Sequence, residues 1–168
     1  NSDRMFSPEV LFSLYNTSRK SVVYDVLFTY SLSTTSILSM AGKRETGRIS
    51  ITYDDENDYR YKMWESTVVN NTEVTYLTKF KDETRTGAEA YRYMMPLIRM
   101  SELYLIAAEC ETDVQKALDN YFNPLRFSRN CVNQNAIDED ALKNLIRAEY
   151  VREFIGEGQL FFYYKRNG

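Results

Sequence analysis

The chain has 168 residues, of which 43% are hydrophobic and 27% charged, a composition typical of a globular protein with a sizeable core. Its formal net charge of −3 provides no basic surface for a phosphate backbone and argues against nucleic-acid binding. The sequence has no histidine, which excludes Ser-His and Cys-His catalytic pairs and removes the commonest zinc ligand. We expect no metal site and no cofactor.

The first half of the chain, residues 1–94, predicts irregular structure with short strands. Three segments rich in aliphatic, aromatic or β-branched residues are candidate extended pieces, at 9–14, 21–30 and 48–53. Between 59 and 80, aromatic, polar and β-branched residues alternate around a turn at Asn70-Asn71. None of these segments has the sustained periodicity of a helix.

Several stretches of this half are predicted to be loops. Residues 30–39 are rich in Ser and Thr, and Gly42 and Gly47 bracket a charged turn. The segment 54–58 is acidic, and we expect it to be solvated.

The second half has hydrophobic residues at helical spacing. A first helix is predicted over 97–110, with Pro96 at the first helical position, where its missing N–H would be unpaired anyway. A second helix follows a capping box of Thr112 and Gln115, and Pro124 limits its extension. Its predicted apolar face consists of Val114, Ala117, Leu118 and Tyr121.

A third helix is predicted to begin after Asp138, whose carboxylate can cap free amides. Ile137 and Leu142 are placed as a hydrophobic staple around that start. The predicted apolar stripe consists of Leu142, Leu145, Ile146, Tyr150, Phe154 and Ile155. The glycines of 156–158 end or bend this helix, and 159–166 adds a last helical turn or two.

The fold class that these elements predict is mainly α. Short helices joined by tight turns indicate tetratricopeptide-like helical hairpins over 95–168. Residues 1–94 form the irregular, partly β region and contain the candidate ligand-binding loops. We expect the two regions to make one structural domain that is part of a longer pattern.

Two sets of residues carry reactive groups, and both have simpler explanations. Glu149, Glu153 and Glu157 could act as glycosidase carboxylates. Their spacing of four residues is ordinary on a solvated helix face, so we predict no catalytic residue. Cys110 and Cys131 form no CxxC and could be a disulfide, two free thiols or packed small hydrophobic residues, of which packing is the default.

Two segments of the second half carry the most specific signal. The first, MPLIRMSELYLIAAEC at 95–110, is close to the pattern PLIRLAEMYLIAAEA and matches it at Pro96, Leu97, Ile98, Arg99, Glu102, Tyr104, Leu105, Ile106, Ala107, Ala108 and Glu109. The second follows an ER-x-x-E-x-x-x-EG-x-R pattern that runs to a Lys-Arg pair, with matches at Glu149, Glu153, Phe154, Gly156, Glu157, Gly158, Gln159, Phe161, Lys165, Arg166 and Gly168. Asn123, Arg126 and the upstream Asp58-Tyr59-Arg60 echo further elements. Together these residues resemble the SusD/RagB family, surface lipoproteins that capture glycans.

Three positions depart from the family pattern. Tyr150, Leu160 and Tyr163 stand where the family usually has Arg, Arg and Asp. Because apolar and phenolic groups replace charges there, we expect the ion-pair network between the last helices to have been replaced as a whole. The chain therefore resembles a divergent member.

The resemblance implies a function in glycan uptake without catalysis. The chain would bind an oligosaccharide or polysaccharide at the outer-membrane surface and deliver it to a SusC-like, TonB-dependent transporter. Contact with the membrane would be made only through a lipid anchor outside this chain. The alternative is a helical-repeat scaffold that binds a protein and has no glycan site.

Candidate ligand-binding residues are chosen by chemistry, because binding residues vary within the family. Trp64 offers the best stacking surface for a sugar, and Tyr59, Tyr61, Asp58 and Arg60 lie close to it in sequence. The simpler alternative is that Trp64 is a half-buried core residue. An exposed aromatic cluster within 53–80 would favour glycan binding, whereas a broad apolar face would favour the scaffold.

Overall fold

The computed structural model describes residues 3–29, 31–32, 37–40, 44, 46–69, 71–84 and 86–167. The chain divides into two compact units, the first made of 1–51 and 61–100 and the second of 52–60 and 101–168. Parts of the predicted 30–39 loop, Gly42 of the predicted charged turn and Asn70 lie outside the described residues.

Strands occur in the first unit, and the long helices belong to the second. The strands are β1 (Val10–Tyr15), β2 (Ser39–Met40), β3 (Trp64–Val69), β4 (Thr72–Leu77) and β5 (Met94–Arg99). The α-helices are α1 (Asp25–Leu27), α2 (Arg48–Thr52), α3 (Glu89–Arg92), α4 (Met100–Cys110), α5 (Val114–Ala117), α6 (Asn123–Ser128), α7 (Glu139–Phe154) and α8 (Gln159–Asn167). Short 3₁₀ segments lie at Ser7–Glu9 and Tyr61–Met63, and π-helical segments at Lys20–Tyr24 and Leu118–Phe122. The predicted fold class, helical in the second half and partly β in the first, is confirmed.

The alternating segment predicted within 59–80 forms a β-hairpin. Strands β3 and β4 pair antiparallel from Trp64 opposite Leu77 to Val69 opposite Thr72, and β2 adds to the other edge of β4. Asn71 in the connecting turn has a φ of 61°, a left-handed conformation that asparagine tolerates better than most residues.

A second, two-stranded sheet is formed by β1 and β5. Because of this pairing, the first helix does not start where it was predicted. Pro96 does not begin a helix: it lies in β5 opposite Ser13, and the helix begins at Met100. A strand of a two-stranded sheet has a partner on one side only, so a proline that cannot donate a hydrogen bond is tolerated on the other side. The predicted strand at 9–14 is confirmed as β1.

Two other segments predicted to be extended are helical. Residues 20–27 form a π-turn and α1, and 48–52 form α2. Arg19 holds the first of these, because its buried guanidinium donates to the carbonyl oxygens of Tyr91 at 3.3 Å and Met94 at 3.0 Å. In α2, Ile49 is buried, so packing of one side chain outweighs the β-propensity of its branched neighbours.

The helical part of the second unit begins in α4, and a separate, continuous helical run follows from Val114 to Ser128. The N-cap of that run is Asp113 rather than the predicted Thr112, since its Oδ1 accepts a hydrogen bond from the Lys116 amide at 3.0 Å. Pro124 does not end the run: it lies just after the π-helical segment Leu118–Phe122, and α6 continues past it to Ser128. The predicted apolar face packs into the core, with Ala117 and Leu118 fully buried.

The long helix α7 begins as predicted. Asp138 Oδ1 accepts from the Ala141 amide at 2.8 Å. The predicted staple is wrong, because Ile137 is 95% exposed. After α7 ends at Phe154, Gly156 and Gly158 adopt φ values of 80° and 83°, which glycine accepts without strain, and α8 follows.

One hydrophobic core fills the second unit and includes two of the positions that depart from the family pattern. Its buried residues are Leu105, Ala108, Ala117, Leu118, Phe122, Leu125, Leu142, Ile146, Tyr150, Phe154 and Tyr163. Tyr150 of α7 and Tyr163 of α8 stack with ring centroids 4.0 Å apart and planes 23° apart. Leu160 packs against the same core. The three positions at which the family usually has charged residues thus contribute apolar contacts in this chain. These contacts join α7 to α8.

Candidate functional site

The five residues predicted to bind a ligand fall in different surroundings. Asp58, Tyr59 and Arg60 belong to the second unit, whereas Tyr61 and Trp64 belong to the first. Trp64 is 2% exposed, and Asp58, Arg60 and Tyr61 are also buried. Tyr59, at 40% exposure, is the member of the set whose ring is open to a ligand.

The two buried aromatic residues of the set pack within the first unit. Arg44 lies with its guanidinium carbon 5.3 Å from the centre of the Tyr61 ring and donates to the Trp64 carbonyl oxygen at 3.3 Å. The Tyr61 hydroxyl in turn donates to the Arg44 carbonyl oxygen at 3.4 Å. The indole of Trp64 thus has no open face on which a sugar could stack, and the core alternative describes it better.

Asp58 and Arg60 belong to a buried ion-pair cluster. Arg60 Nη2 lies 2.7 Å from Asp58 Oδ2 and 2.7 Å from Glu149 Oε1, and its Nη1 lies 2.8 Å from Glu153 Oε2. Asp58 Oδ1 also accepts from the Arg60 backbone amide at 2.7 Å. The Asp-x-Arg motif therefore closes a local turn and presents its guanidinium to two glutamates of α7.

Further arginines complete this cluster. Glu149 Oε2 lies 3.0 Å from Arg126 Nη1 and 2.9 Å from Arg152 Nη1, and Glu153 Oε1 lies 2.9 Å from Arg129 Nη2. The ion-pair cluster of the described residues then comprises the arginines 60, 126, 129 and 152 and the carboxylates of Asp54, Asp58, Glu149 and Glu153. Asp54 is exposed, and the other members are buried, where each is paired with at least one group of opposite charge.

The cluster corrects two expectations. Glu149 and Glu153 are fully buried rather than solvated, and so is Asp58 within the acidic 54–58 segment. The pairs of this cluster join α7 to Arg60, Arg126 and Arg129, none of which belongs to α8, so the expected replacement of the ion pairs between the last helices stays a prediction.

The electrostatics of the cluster keep Glu149 ionised. Burial opposes the charge of Glu149, but Arg60, Arg152 and Arg126 outweigh it and hold the pKa of this carboxyl below its ordinary value. Burial likewise opposes the charge of Arg60, and the neighbouring carboxylates raise its pKa well above the usual value. A carboxyl held in this way neither donates nor accepts a proton near neutral pH, so Glu149 is unsuited to acid–base catalysis.

The two cysteines are free thiols in different environments. Cys131 is buried beside the cluster, with its Sγ 4.0 Å from Arg60 Nη2. Burial raises the pKa of this thiol to about 12, so it stays protonated and packs as a small hydrophobic residue. Cys110 ends α4 and is exposed.

An open recess lies on the helical run of the second unit. It has a volume of about 330 Å³ and is lined by Asp119, Asn123, Pro124, Phe127 and Asn133. Asp119, Asn123 and Phe127 follow one another at intervals of four residues, which places them along one helix face. The Phe127 ring is 79% exposed.

Asn123 holds the loop that contributes Asn133 to the recess. Its Nδ2 donates to the Gln134 carbonyl oxygen at 3.1 Å, and its Oδ1 accepts from the Gln134 amide at 2.8 Å. These two hydrogen bonds to the Gln134 backbone hold the loop that carries Asn133. The family motif identified Asn123 but gave no reason to suspect a recess, although an exposed phenylalanine eight residues after an aspartate on a helix was a usable signal.

Neither a metal centre nor a membrane span is found in the part of the chain that the structure describes. No group of three or more His, Cys, Asp or Glu residues there could hold a metal ion. No described helix has both the length and the apolar character needed to cross a membrane.

Comparison with known proteins gives one family and a shared fold. Residues 24–168 match the model of the SusD family. A SusD-like carbohydrate binding protein from Bacteroides vulgatus ATCC 8482 is 21% identical, with a TM-score of 0.61 over 90% of this chain and 33% of its own. No curated protein shows a significant match.

Two further solved structures have the same fold. A SusD superfamily protein from Bacteroides thetaiotaomicron VPI-5482 is 26% identical, with a TM-score of 0.63 over 95% of this chain and 38% of its own. Another from Bacteroides vulgatus ATCC 8482 is 22% identical, with a TM-score of 0.62 over 97% of this chain and 36% of its own. The chain spans little more than a third of the length of these structures.

Proposed function

This chain belongs to the SusD family, and from that premise we propose that it binds glycans at the bacterial cell surface without transforming them. The observation that carries the proposal is the family match over 24–168, which includes most of the first unit and all of the second. A structure with the same fold is described as a carbohydrate binding protein, which supports the same function here.

The proposal includes the destination of the glycan. The chain delivers it to a SusC-like, TonB-dependent outer-membrane transporter, as part of a surface lipoprotein. Family membership supports this partner, and co-purification of the transporter with the native lipoprotein tests it. Recovery of the lipoprotein alone from detergent-solubilised outer membranes would contradict it.

A glycan array tests the capture function. The purified chain is applied to plant, host and microbial glycans, with bovine serum albumin as a protein that should be retained by none. Retention on one structural class of glycan is expected. Uniform absence of retention would count against glycan binding by this part of the protein.

The protein-binding scaffold remains the second candidate because of one observation. Of the aromatic residues within 53–80, Tyr59 is exposed and the others are buried, whereas β1 exposes Leu11, Phe12, Leu14 and Tyr15. Apolar side chains concentrated on a short two-stranded sheet are typical of a surface that contacts another protein. A glycan array without any retention would favour this candidate.

A further inference from the structure

We propose that the recess lined by Asp119, Asn123, Pro124, Phe127 and Asn133 is a subsite for one ring of a neutral saccharide. The inference rests on the proposed glycan-binding function and assigns to it a place and a class of sugar. The recess lies entirely within the second unit, so its geometry depends on that unit alone.

Phe127 supplies the stacking surface. A sugar ring has an apolar face of C–H groups, and an aromatic face left open to water is its natural contact. Phe127 is 79% exposed and lines the recess, and Pro124, one helical turn before it, adds an apolar neighbour without an N–H group. Burial of this ring under a sugar removes apolar surface from water, which stabilises the bound state.

Asp119 and Asn133 supply groups that can recognise hydroxyls. Asp119 Oδ1 accepts from Gln115 Nε2 at 2.9 Å, which orients the carboxylate and leaves it capacity to accept further hydrogen bonds from a ligand. Asn133 is exposed and also lines the recess, and its side-chain amide can both donate and accept. An apolar face with a few convergent polar groups is the usual composition of a small-molecule site.

The charge of the recess selects the class of sugar. Asp119 is the charged group among its lining residues, and none of those residues is a Lys or Arg. A carboxylate or sulfate on the ligand would face this like charge without a compensating cation, whereas neutral hydroxyls would be accepted. The recess therefore favours neutral saccharides over uronic acids and sulfated sugars.

The walls are fixed before the ligand arrives. Asn123 is buried and makes both of its hydrogen bonds to the Gln134 backbone, so the loop with Asn133 is tied to α6. A site whose polar groups are already ordered loses less conformational entropy on binding. The volume of about 330 Å³ lies at the lower end of the ~300–1,000 Å³ range of ligand pockets, which suits a short piece of a glycan.

The test is affinity electrophoresis of the 168-residue chain in native gels. The gels contain an α-glucan, a β-glucan, a mannan or a xylan as neutral probes, or polygalacturonate as the acidic probe. Phe127→Ala is the test variant, and Phe161→Ala is its control, because Phe161 is also exposed, at 67%, and does not line the recess. Both changes keep the net charge, and thermal unfolding confirms that the variants are folded.

We expect one neutral polysaccharide to retard the wild-type chain, and polygalacturonate to retard it less or not at all. Phe127→Ala should lose roughly tenfold in affinity, as when an aromatic anchor is truncated, and Phe161→Ala should bind like wild type. Unchanged retardation of Phe127→Ala, or a preference for polygalacturonate, would overturn the subsite while leaving glycan capture intact. A wild-type chain retarded by none of the probes would overturn the subsite and count against the proposed function as well.

Discussion

At the scale of single residues, the energetics of the second unit depend on Arg60. Its guanidinium is buried against Asp58, Glu149 and Glu153. Burial of such charges costs desolvation energy that good geometry has to offset, so the cluster is weak evidence for high stability. Removal of one member is a different matter, because its partners are then left charged and buried.

Arg60→Leu should therefore strongly destabilise the chain. It leaves three buried carboxylates without their shared cation, and we expect the free energy of unfolding to fall by ~3–5 kcal/mol. The measurement is urea unfolding at pH 7. Lys143→Gln is the control, since Lys143 pairs with Glu139 on the exposed surface and its loss should cost less than ~1 kcal/mol. Equal effects of the two changes would contradict the account.

Glu149 links stability to pH. Because its folded-state pKa lies below the ordinary value of 4.5, its contribution is complete above that value and is lost as the pH falls through the folded-state pKa. We expect the melting temperature of wild type to fall on acidification below about pH 5. Glu149→Gln should be less stable at pH 7 and show a shallower decrease between about pH 5 and pH 3. Identical slopes for the two proteins would show that Glu149 is not part of this linkage.

We expect Trp64 to contribute strongly to the free energy of unfolding. Trp64→Ala removes a large side chain that is 2% exposed and should cost ~3–5 kcal/mol in the free energy of unfolding. Tyr59→Ala, at a ring that is 40% exposed, should cost far less and provides the matched aromatic control. Urea unfolding of both variants checks this. A near-neutral Trp64→Ala would restore Trp64 as a candidate binding residue.

The burial of three carboxylates that were predicted to be solvated has one physical explanation. Burial of Asp58, Glu149 and Glu153 was missed because carboxylates are usually solvated and a helix with glutamates every four residues looks like a surface helix. Their partner Arg60 lies far away along the sequence from both glutamates. Pairing over such separations leaves no local pattern, so only the folded chain reveals it.

At the scale of elements, α7 and α8 are joined by aromatic packing. Tyr150 and Tyr163 stack at 4.0 Å, and Tyr150 also contacts Phe154, with ring centroids 5.6 Å apart. An ion pair also links α8 to α4, because Arg166 Nη2 lies 2.6 Å from Glu109 Oε2. The tyrosines at these two positions thus provide a contact that needs no paired charge.

A double-mutant cycle measures that contact. Tyr150→Leu and Tyr163→Leu keep apolar volume but remove the stacked rings. We expect a coupling energy of ~0.5–1.5 kcal/mol between the two positions, the range for aromatic pairs. The control pair is Tyr150 with Phe161, which faces solvent on α8. Additive effects at Tyr150 and Tyr163 would mean that the stacking contributes nothing beyond burial.

Elements with a strong period were predictable, and those held by tertiary contacts were not. The stripe of α7, its Asp138 cap and the β3–β4 hairpin follow from spacing and turn residues. The helix over 48–52 was missed because a β-branched segment can be held helical by burial of Ile49. The start of the first helix was predicted wrongly at Pro96, because proline is common at the first position of a helix. The β1–β5 pairing that places Pro96 in a strand is not visible in the sequence.

At the scale of the whole molecule, the chain is a family member that spans little more than a third of the solved structures it resembles. Family membership could be read from the motifs at 95–110 and 145–168. The candidate subsite could not be predicted from the sequence, because the recess depends on the loop that Asn123 holds. Glycan capture by this chain is the central proposal, and the proposed subsite would place it at the recess.

The most direct test is an amide chemical-shift titration of the ¹⁵N-labelled chain with oligosaccharides prepared from the same neutral polysaccharides and from polygalacturonate. The account predicts saturable shifts with a neutral oligosaccharide, concentrated at the amides of 119–134. Shifts confined to other residues would leave glycan binding in place and remove the recess. A spectrum that none of the oligosaccharides changes would contradict the claim that this chain captures glycans.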